Sequence, residues 1–205
     1  MSIIKKMNIW FATNNVHKKE ELEAVLNTGL KIPKDSGLDF EPEETGATFR
    51  ENALIKAREL QKLLGKNEPV IADDSGLCVD ALDGKPGVFS ARYGEADGRK
   101  LTSHEKNLLL LNELGENQKR SARFVCAMVL LLDNERFFIV QETLEGEIVK
   151  KSEMRGEGGF GYDPIFLIPN LRRTLAELSA DEKNSLSHRG KAGIHIADIL
   201  KKFIS

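Results

Sequence analysis

The feature that most constrains the fold is a pair of apolar segments joined by a two-residue turn signal. Residues 122–132 form a long apolar run, Asp133 and Asn134 follow it, and residues 136–144 form a second strand-like segment. This pattern predicts a β-hairpin. Strands joined by so short a turn pair antiparallel, so a sheet that contains them cannot be purely parallel. A turn at residues 145–147 and a third short strand at 148–150 are predicted to follow.

Elsewhere predicted strands alternate with helices. A strand at residues 7–12 precedes a helix at 19–27 that Gly29 ends. Capping-box patterns begin helices at Thr48 and Thr102. Further elements are a central strand from residue 70 to a turn at Gly76, an extended segment at 77–82, a strand at 165–168, a short helix after Ser179 and a last helix at 190–203. We therefore predict a mixed α/β fold in which residues 1–205 form a single domain.

Composition excludes several functional classes. Of the 205 residues, 40% are hydrophobic and 30% are charged, and the net charge of −2 argues against a general binder of nucleic acid or membrane surfaces. Cys78 and Cys126 lie in apolar runs without the spacing of metal ligands, which indicates reduced thiols. The sequence shows no signal peptide and no apolar segment long enough to cross a membrane. We expect a cytoplasmic protein.

Two adjacent aspartates follow a buried strand in the segment of residues 70–77. Two carboxylates about 4 Å apart repel by roughly 4 kcal/mol at an effective dielectric of 20, so a cation or a cluster of donors should offset them. Successive side chains of a strand point to opposite faces, so one aspartate can face a site while the other is held by backbone or solvent. Either aspartate can be the one that faces the site on this pattern alone. The alternative is an ordinary polar turn.

A polar loop connects the first predicted strand to its helix. This arrangement aims backbone N–H groups at an anion, and the side chains add donors that suit phosphate oxygens. The loop lacks the glycines of a Walker motif, and a polar loop of this kind is also common in α/β proteins without a phosphate site. The candidate phosphate-binding residues are Thr13, Asn14, Asn15, Val16, His17 and Lys18.

An acidic turn containing Glu43 and Glu44 precedes the helix of residues 49–64. On that helix Asn52, Lys56 and Glu59 are three or four residues apart, so they can share one face. The alternatives are complementation of the helix dipole by the acidic turn and, for Glu59, a solvent-exposed helix face.

Glycines surround two aromatic residues in the segment of residues 156–164. Glycine lets the backbone approach a ligand, and stacking of a base on an aromatic ring contributes ~1–3 kcal/mol. The alternative is a glycine-rich loop with aromatic residues in the core. Lys183, His188 and Arg189 place donors near helix ends, whereas His195 lies among apolar residues and is predicted to be a core histidine.

Taken together, five motifs resemble the inosine triphosphate pyrophosphatase family, in that family's order. They are residues 11–15 (FATNN), 51–53 (ENA), 72–76 (ADDSG), 159–164 (GFGYDP) and 187–189 (SHR). The resemblance implies a mixed central sheet with helices around it, two lobes flanking an active-site cleft, homodimers and a requirement for Mg²⁺. It also implies hydrolysis of non-canonical purine nucleoside triphosphates to the monophosphate and pyrophosphate. The loop at residues 14–17 lacks a glycine that many members carry, which leaves its phosphate contacts open.

The resemblance also implies roles for the candidate residues. Asp74 would ligate Mg²⁺ and act as general base, with Glu43 or Glu44 as a second acidic ligand. The loop residues would bind phosphate, Lys56 would hold phosphate or a carboxylate, and Ser75 would contact the substrate. Base and sugar recognition would fall to Phe160, Gly161, Tyr162, Asp163, Lys183, His188 and Arg189. A pyrophosphatase for modified pyrimidine nucleotides and a non-catalytic nucleotide-binding protein remain alternatives.

Overall fold

The structure is a computed structural model that describes residues 8–65, 68–156 and 160–203. We number only its strands and α-helices. The strands are β1 Trp10–Phe11, β2 Val70–Val79, β3 Ser121–Leu131, β4 Phe137–Ile148, β5 Phe166–Ile168 and β6 Arg173–Thr174. The helices are α1 Val16–Leu26, α2 Phe49–Leu64, α3 Ser103–Leu114, α4 Ala180–Leu186 and α5 His188–Phe203. No helix of the described ranges is long and apolar enough to span a membrane.

The strands form one mixed sheet in the order β1-β2-β3-β4-β5-β6. β1 pairs parallel with β2, whereas β4–β5 and β5–β6 are antiparallel. The hairpin of β3 and β4 is confirmed, because Leu132 N donates to Arg136 O at 2.9 Å and Ile148 N donates to Arg120 O at 2.8 Å. The predicted mixed α/β fold is therefore confirmed.

Several predicted element ends were wrong. β4 continues through residues 145–147 to Ile148, so the turn and the separate strand predicted there do not form. β2 likewise continues past Gly76 to Val79, because pairing with neighbouring strands holds the glycine extended. α1 begins at Val16 rather than at residue 19, and its last residue is followed by Asn27 in the left-handed conformation, ahead of Gly29. Both capping boxes are confirmed.

The chain divides into two compact units. The first unit comprises the described residues up to Asp74, Cys126–Glu142 and the residues from Asn184 onward, and the second unit comprises Ser75–Val125 and Thr143–Lys183. In the first unit, one sheet face packs on α1 and α5, and the other packs on α2.

In the second unit, α3 buries Leu110, Leu111 and Leu114, and the rings of Phe124 and Phe166 lie 4.7 Å apart.

Two side chains differ from their predicted environments. His195 is not a core residue: its side chain is 56% exposed and lies 3.2 Å from Glu142. The helix turns that residue outward although its sequence neighbours are apolar. Cys126 is buried as predicted, but Cys78 is only half-buried. Neither thiol is in a disulfide within the described residues.

Candidate active site

Strand β2 positions the two aspartates on opposite faces of the sheet in the first unit. Ile71 lies in the apolar cluster that packs on α1 and α5, and Ala72 lies in the cluster that packs on α2. The alternation continues along the strand, so Asp73 meets residues of α1 and α5 while Asp74 meets residues of α2. The predicted separation of the pair onto two faces is confirmed, and it relieves their mutual repulsion.

Asp73 is fully buried between two cations. Its Oδ1 lies 3.0 Å from Lys18 Nζ, and its Oδ2 accepts from Arg189 Nε at 3.2 Å. Arg189 also donates through Nη1 to Glu21 of α1. The expectation that backbone or solvent holds Asp73 was wrong: two anions and two cations alternate, so this buried network is neutral. It fastens α1 and the start of α5 to β2.

Burial and charge act in opposite directions on the two cations. Burial lowers the pKa of Lys18, and Asp73 opposes that effect while Lys56 and Arg189 add to it. Burial also acts to lower the pKa of Arg189, but Asp73 and Glu21 outweigh burial and raise it. The carboxylate of Asp73 therefore favours the charged form of both side chains, but it outweighs burial only for Arg189 and not for Lys18.

Asp74 is held by two residues one turn apart on α2. Asn52 Nδ2 donates to Asp74 Oδ2 at 3.1 Å, and Lys56 Nζ lies 3.6 Å from Asp74 Oδ1. The same ammonium lies 3.1 Å from Glu44 Oε1. Burial raises the pKa of Asp74, which Lys56 opposes and Glu44 reinforces. Burial acts to lower the pKa of Lys56, but Asp73, Asp74 and Glu44 outweigh it and raise the pKa.

The acidic turn is fastened to the start of α2. Asn52 Oδ1 accepts from Gly46 N at 2.8 Å, so one amide side chain fixes both the turn and Asp74. A Cβ at position 46 would lie 2.6 Å from Glu51 Cβ and 2.7 Å from Asn52 Oδ1, so only glycine fits there. Within this turn Glu44 points toward Lys56, whereas Glu43 is exposed.

The loop after β1 is ordered by its own side chains. Asn15 caps α1 by accepting from Lys18 N at 3.2 Å, and Thr13 Oγ1 accepts from Asn15 N at 3.1 Å. Asn14 Nδ2 donates to Phe40 O at 2.8 Å. Lys18 therefore lies on the first helical turn and not in a loop.

Val16 and His17 are exposed on the same turn, and His17 Nδ1 lies 3.8 Å from Glu20. Ser75 is half-buried directly after Asp74 on β2.

In the second unit, a tight turn carries Phe160, Gly161, Tyr162 and Asp163. Asp163 Oδ2 accepts from Phe160 N at 2.8 Å and from Lys183 Nζ at 3.0 Å. The Lys183 ammonium lies 4.7 Å from the centroid of the Phe160 ring, at cation–π distance. The glycine-rich residues 157–159 of the same predicted motif lie outside the described residues.

Two further contacts fix the same turn. The buried Tyr162 hydroxyl donates to Ser90 O at 2.9 Å, so the phenol ties the turn to the core. Burial raises the pKa of Tyr162. Asn107 Nδ2 donates to Gly161 O at 3.1 Å, with Gly161 at a φ of 66°. The first unit separately contains His188, which is buried at the start of α5.

Sequence reasoning missed Glu21 and Asn107. Glu21 is three residues after Lys18 on α1, so the helical period places both side chains on one face. That spacing was visible, but the partner Arg189 is 168 residues away. Asn107 interrupts an apolar helix stripe, a visible feature whose meaning depends on where the carbonyl of Gly161 lies.

Comparison with known proteins identifies the family of this chain. The model of the Ham1 family matches residues 9–199, so the chain belongs to the Ham1 family. The resemblance inferred from the five motifs is confirmed.

Individual relatives carry a more specific name. A dITP/XTP pyrophosphatase of Treponema denticola is 49% identical over 196 residues, covering 95% of this chain and 99% of the relative. A dITP/XTP pyrophosphatase of Leptospira interrogans is 44% identical over 202 residues, covering 97% of this chain and 98% of the relative. Among solved structures, a HAM1 protein from Coxiella burnetii is 38% identical with a TM-score of 0.85, covering 96% of this chain and 99% of that one.

Proposed function

We propose that this protein is a nucleoside triphosphate pyrophosphatase that hydrolyses ITP, dITP and XTP to the monophosphate and pyrophosphate, which removes them from the nucleotide pool. The observation that carries the proposal is the arrangement of Asp74 and Glu44 around the Lys56 ammonium. It provides paired carboxylates and a cation for phosphate chemistry. The relatives named dITP/XTP pyrophosphatase support the choice of substrate.

In the proposed reaction Asp74 is the general base. It accepts a proton from water as the water oxygen bonds to one phosphorus atom of the anhydride that joins the α- and β-phosphates. The bond from that phosphorus to the bridging oxygen breaks with its electron pair on that oxygen, so that the monophosphate and pyrophosphate separate. Asn52 orients the Asp74 carboxylate by holding one of its oxygens, which leaves the other directed toward Lys56. Lys56 and Lys18 stabilise the negative charge of the triphosphate.

The donor set fits Mg²⁺. The described residues contain no group of three or more His, Cys, Asp and Glu side chains that could hold a metal ion. Mg²⁺ does not need one, because it is commonly bound by one or two carboxylates together with substrate phosphates and water. Asp74 and Glu44 both lie within 4 Å of one ammonium, a spacing that suits a shared cation. Mg²⁺ would neutralise charge on the phosphates.

The phosphates would lie against the loop of Thr13, Asn14, Asn15, Val16, His17 and Lys18, at the start of α1. A helix N-terminus favours negative charge, and α1 has no acidic residue in its first turn. Ser75 follows Asp74 on β2 and would contact the same substrate. Glu44, rather than the exposed Glu43, is the second metal ligand in this proposal.

Seven residues are proposed to recognise the base. In the second unit, Phe160 offers a ring face, with Gly161, Tyr162 and Asp163 shaping the turn and Lys183 supplying a donor. In the first unit, His188 and Arg189 supply further donors. Such donors suit the 6-oxo group that hypoxanthine and xanthine carry and adenine lacks. Arg189 is engaged by Asp73 and Glu21, so its proposed contact with the base requires a rearrangement of this network.

We further propose that the protein acts as a cytoplasmic homodimer in which each chain is a single domain of two lobes around a cleft.

The test is pyrophosphate release from ITP, dITP, XTP, GTP and ATP, with Mg²⁺ and with a chelator. We expect kcat/KM for ITP and XTP to exceed that for ATP by ~10⁴, because sites built to bind a group reject analogues that lack it. Chelation should abolish turnover. Equal efficiency on ATP and ITP would refute the proposed substrate, and full activity in chelator would refute the metal.

A further inference from the structure

An asparagine occupies a core position of α3 in the second unit. The buried residues of this helix are Asn107, Leu110, Leu111 and Leu114, which follow the i, i+3, i+4, i+7 spacing of an apolar stripe. Leucine fills three of the four positions, and Asn107 is only 2% exposed. A polar side chain at such a position is unfavourable unless its hydrogen bonds are satisfied.

The hydrogen bonds of Asn107 are only half satisfied among the described residues. Its Nδ2 donates to Gly161 O at 3.1 Å, but its buried Oδ1 accepts from no described group. Rotating the amide by half a turn would place Asn107 Oδ1 against Gly161 O, two acceptors with no proton between them, so that orientation is less favourable. A buried acceptor without a donor destabilises the folded state. Stability alone therefore gives no reason for an asparagine here.

The carbonyl that Asn107 binds belongs to the proposed base-binding turn. Gly161 has a φ of 66° and lies between Phe160, whose ring the Lys183 ammonium faces, and Tyr162, whose hydroxyl is held by Ser90. The Tyr162 hydroxyl holds the residue on its C-terminal side, and the Asp163 carboxylate accepts from the N–H of Phe160 on its N-terminal side. Asn107 binds the carbonyl of Gly161, between these two anchored residues.

We infer that Asn107 is a positioning residue that sets the Gly161 carbonyl and, through it, the orientation of the Phe160 ring for the base. The inference rests on the proposed function of this turn. Asn107 does not touch the substrate: it acts through the peptide it holds. Its expected signature is a loss of affinity for the base without a loss of affinity for phosphate.

The experiment compares Asn107→Leu with Asn112→Leu, an exposed position on the same helix. The measurements are competitive inhibition of ITP hydrolysis by IMP, which carries the base, and by pyrophosphate, which does not. In Asn107→Leu the inhibition constant of IMP should rise roughly two- to tenfold, the equivalent of one hydrogen bond. The constant for pyrophosphate should stay the same. Asn112→Leu should change neither.

Thermal melts separate positioning from a structural role. Asn107→Leu removes the unsatisfied acceptor, and water can reach the half-buried Gly161, so its unfolding temperature should equal or exceed that of the parent. The inhibition constant of IMP should rise in Asn107→Ala as well. This second variant covers the case in which leucine overpacks the core and prevents folding. The inference would be overturned by a lower melting temperature together with an unchanged inhibition constant of IMP. It would also be overturned by an equal rise in the inhibition constants of IMP and pyrophosphate.

Phe160→Ala distinguishes the inference from the proposed function. If Phe160→Ala raises the inhibition constant of IMP and Asn107→Leu does not, the base site is correct and Asn107 has only a structural role. If Phe160→Ala leaves IMP inhibition unchanged, the base site itself is misplaced, and the inference fails with it.

Discussion

Asp73 and Asp74 are neighbours in the chain but lie in two electrostatic environments. Asp73 is enclosed with Lys18 and Arg189, whereas Asp74 lies beside Lys56, which also pairs with Glu44. Removing the charge of Asp74 leaves Lys56 with a carboxylate partner. Removing the charge of Asp73 leaves two buried cations that share no anion.

We therefore expect opposite effects from Asp74→Asn and Asp73→Asn. Asp74→Asn should lower kcat by ~10²–10⁴, the range for loss of a general base, and leave the fold intact. Asp73→Asn should lower the free energy of unfolding by ~3–5 kcal/mol, as for a broken buried ion pair. The measurements are pyrophosphate release at saturating Mg²⁺ and denaturant unfolding of both variants. Near-normal turnover of Asp74→Asn would place the catalytic carboxylate elsewhere.

Glu43 and Glu44 provide a matched pair for the metal. Glu44 shares the Lys56 ammonium with Asp74, and Glu43 is exposed. Glu44→Gln should raise the Mg²⁺ concentration for half-maximal activity by at least ~10-fold, because a ligand is lost. Glu43→Gln, which makes the same chemical change one residue away, should leave it unaltered. The measurement is the rate of ITP hydrolysis across a Mg²⁺ titration, and an equal shift in both variants would contradict the assignment.

At the scale of elements, the helix starts marked by capping boxes are set by local side chains and were predicted well, whereas strand ends were not. Thr48 and Glu51 complete a capping box within four residues of chain. Gly76, in contrast, has a sequence typical of a turn but stays inside β2. Strand continuation depends on hydrogen bonds from neighbouring strands, which are distant in sequence. β4 runs past Gly146 for the same reason.

Helix α4 allows a pH test of one such cap. Glu182 accepts from Ser179 N at 2.9 Å and binds Arg173, and the hydrogen bond from Arg173 is the main reason why its pKa falls from 4.5 to about 2. A lowered pKa stabilises the folded state above pH 4.5, and that stabilisation disappears as the pH falls toward 2. Glu182→Gln should therefore melt lower than the parent at pH 7.

The difference in melting temperature should shrink as the pH is lowered from 4.5 to 2. Asp181→Asn removes a charge from the same helical turn and serves as the control, with a much smaller difference expected at every pH. A melting difference for Glu182→Gln that is independent of pH would show that Glu182 contributes by packing and not by charge.

At the scale of the whole molecule, the two units divide the candidate residues between them. The first unit contains Asp74 with its partners on α2, as well as the buried network around Asp73. The second unit contains the turn at Phe160 and its partner Lys183. One of the four points at which the chain crosses between the units lies between Asp74 and Ser75, within the motif of residues 72–76.

The sequence by itself determined the class of fold, the starts of the two capping-box helices and the motifs of the Ham1 family, because periodicity, caps and short motifs act over a few residues. The opposite directions of Asp73 and Asp74 also follow from the two-residue period of a strand. Only the tertiary structure decided that Lys18, Glu21 and Arg189 surround Asp73, and that Glu44 rather than Glu43 turns toward Lys56. These contacts join residues that are far apart in the chain, and burial makes each charge depend on its partners, so no local pattern can specify them.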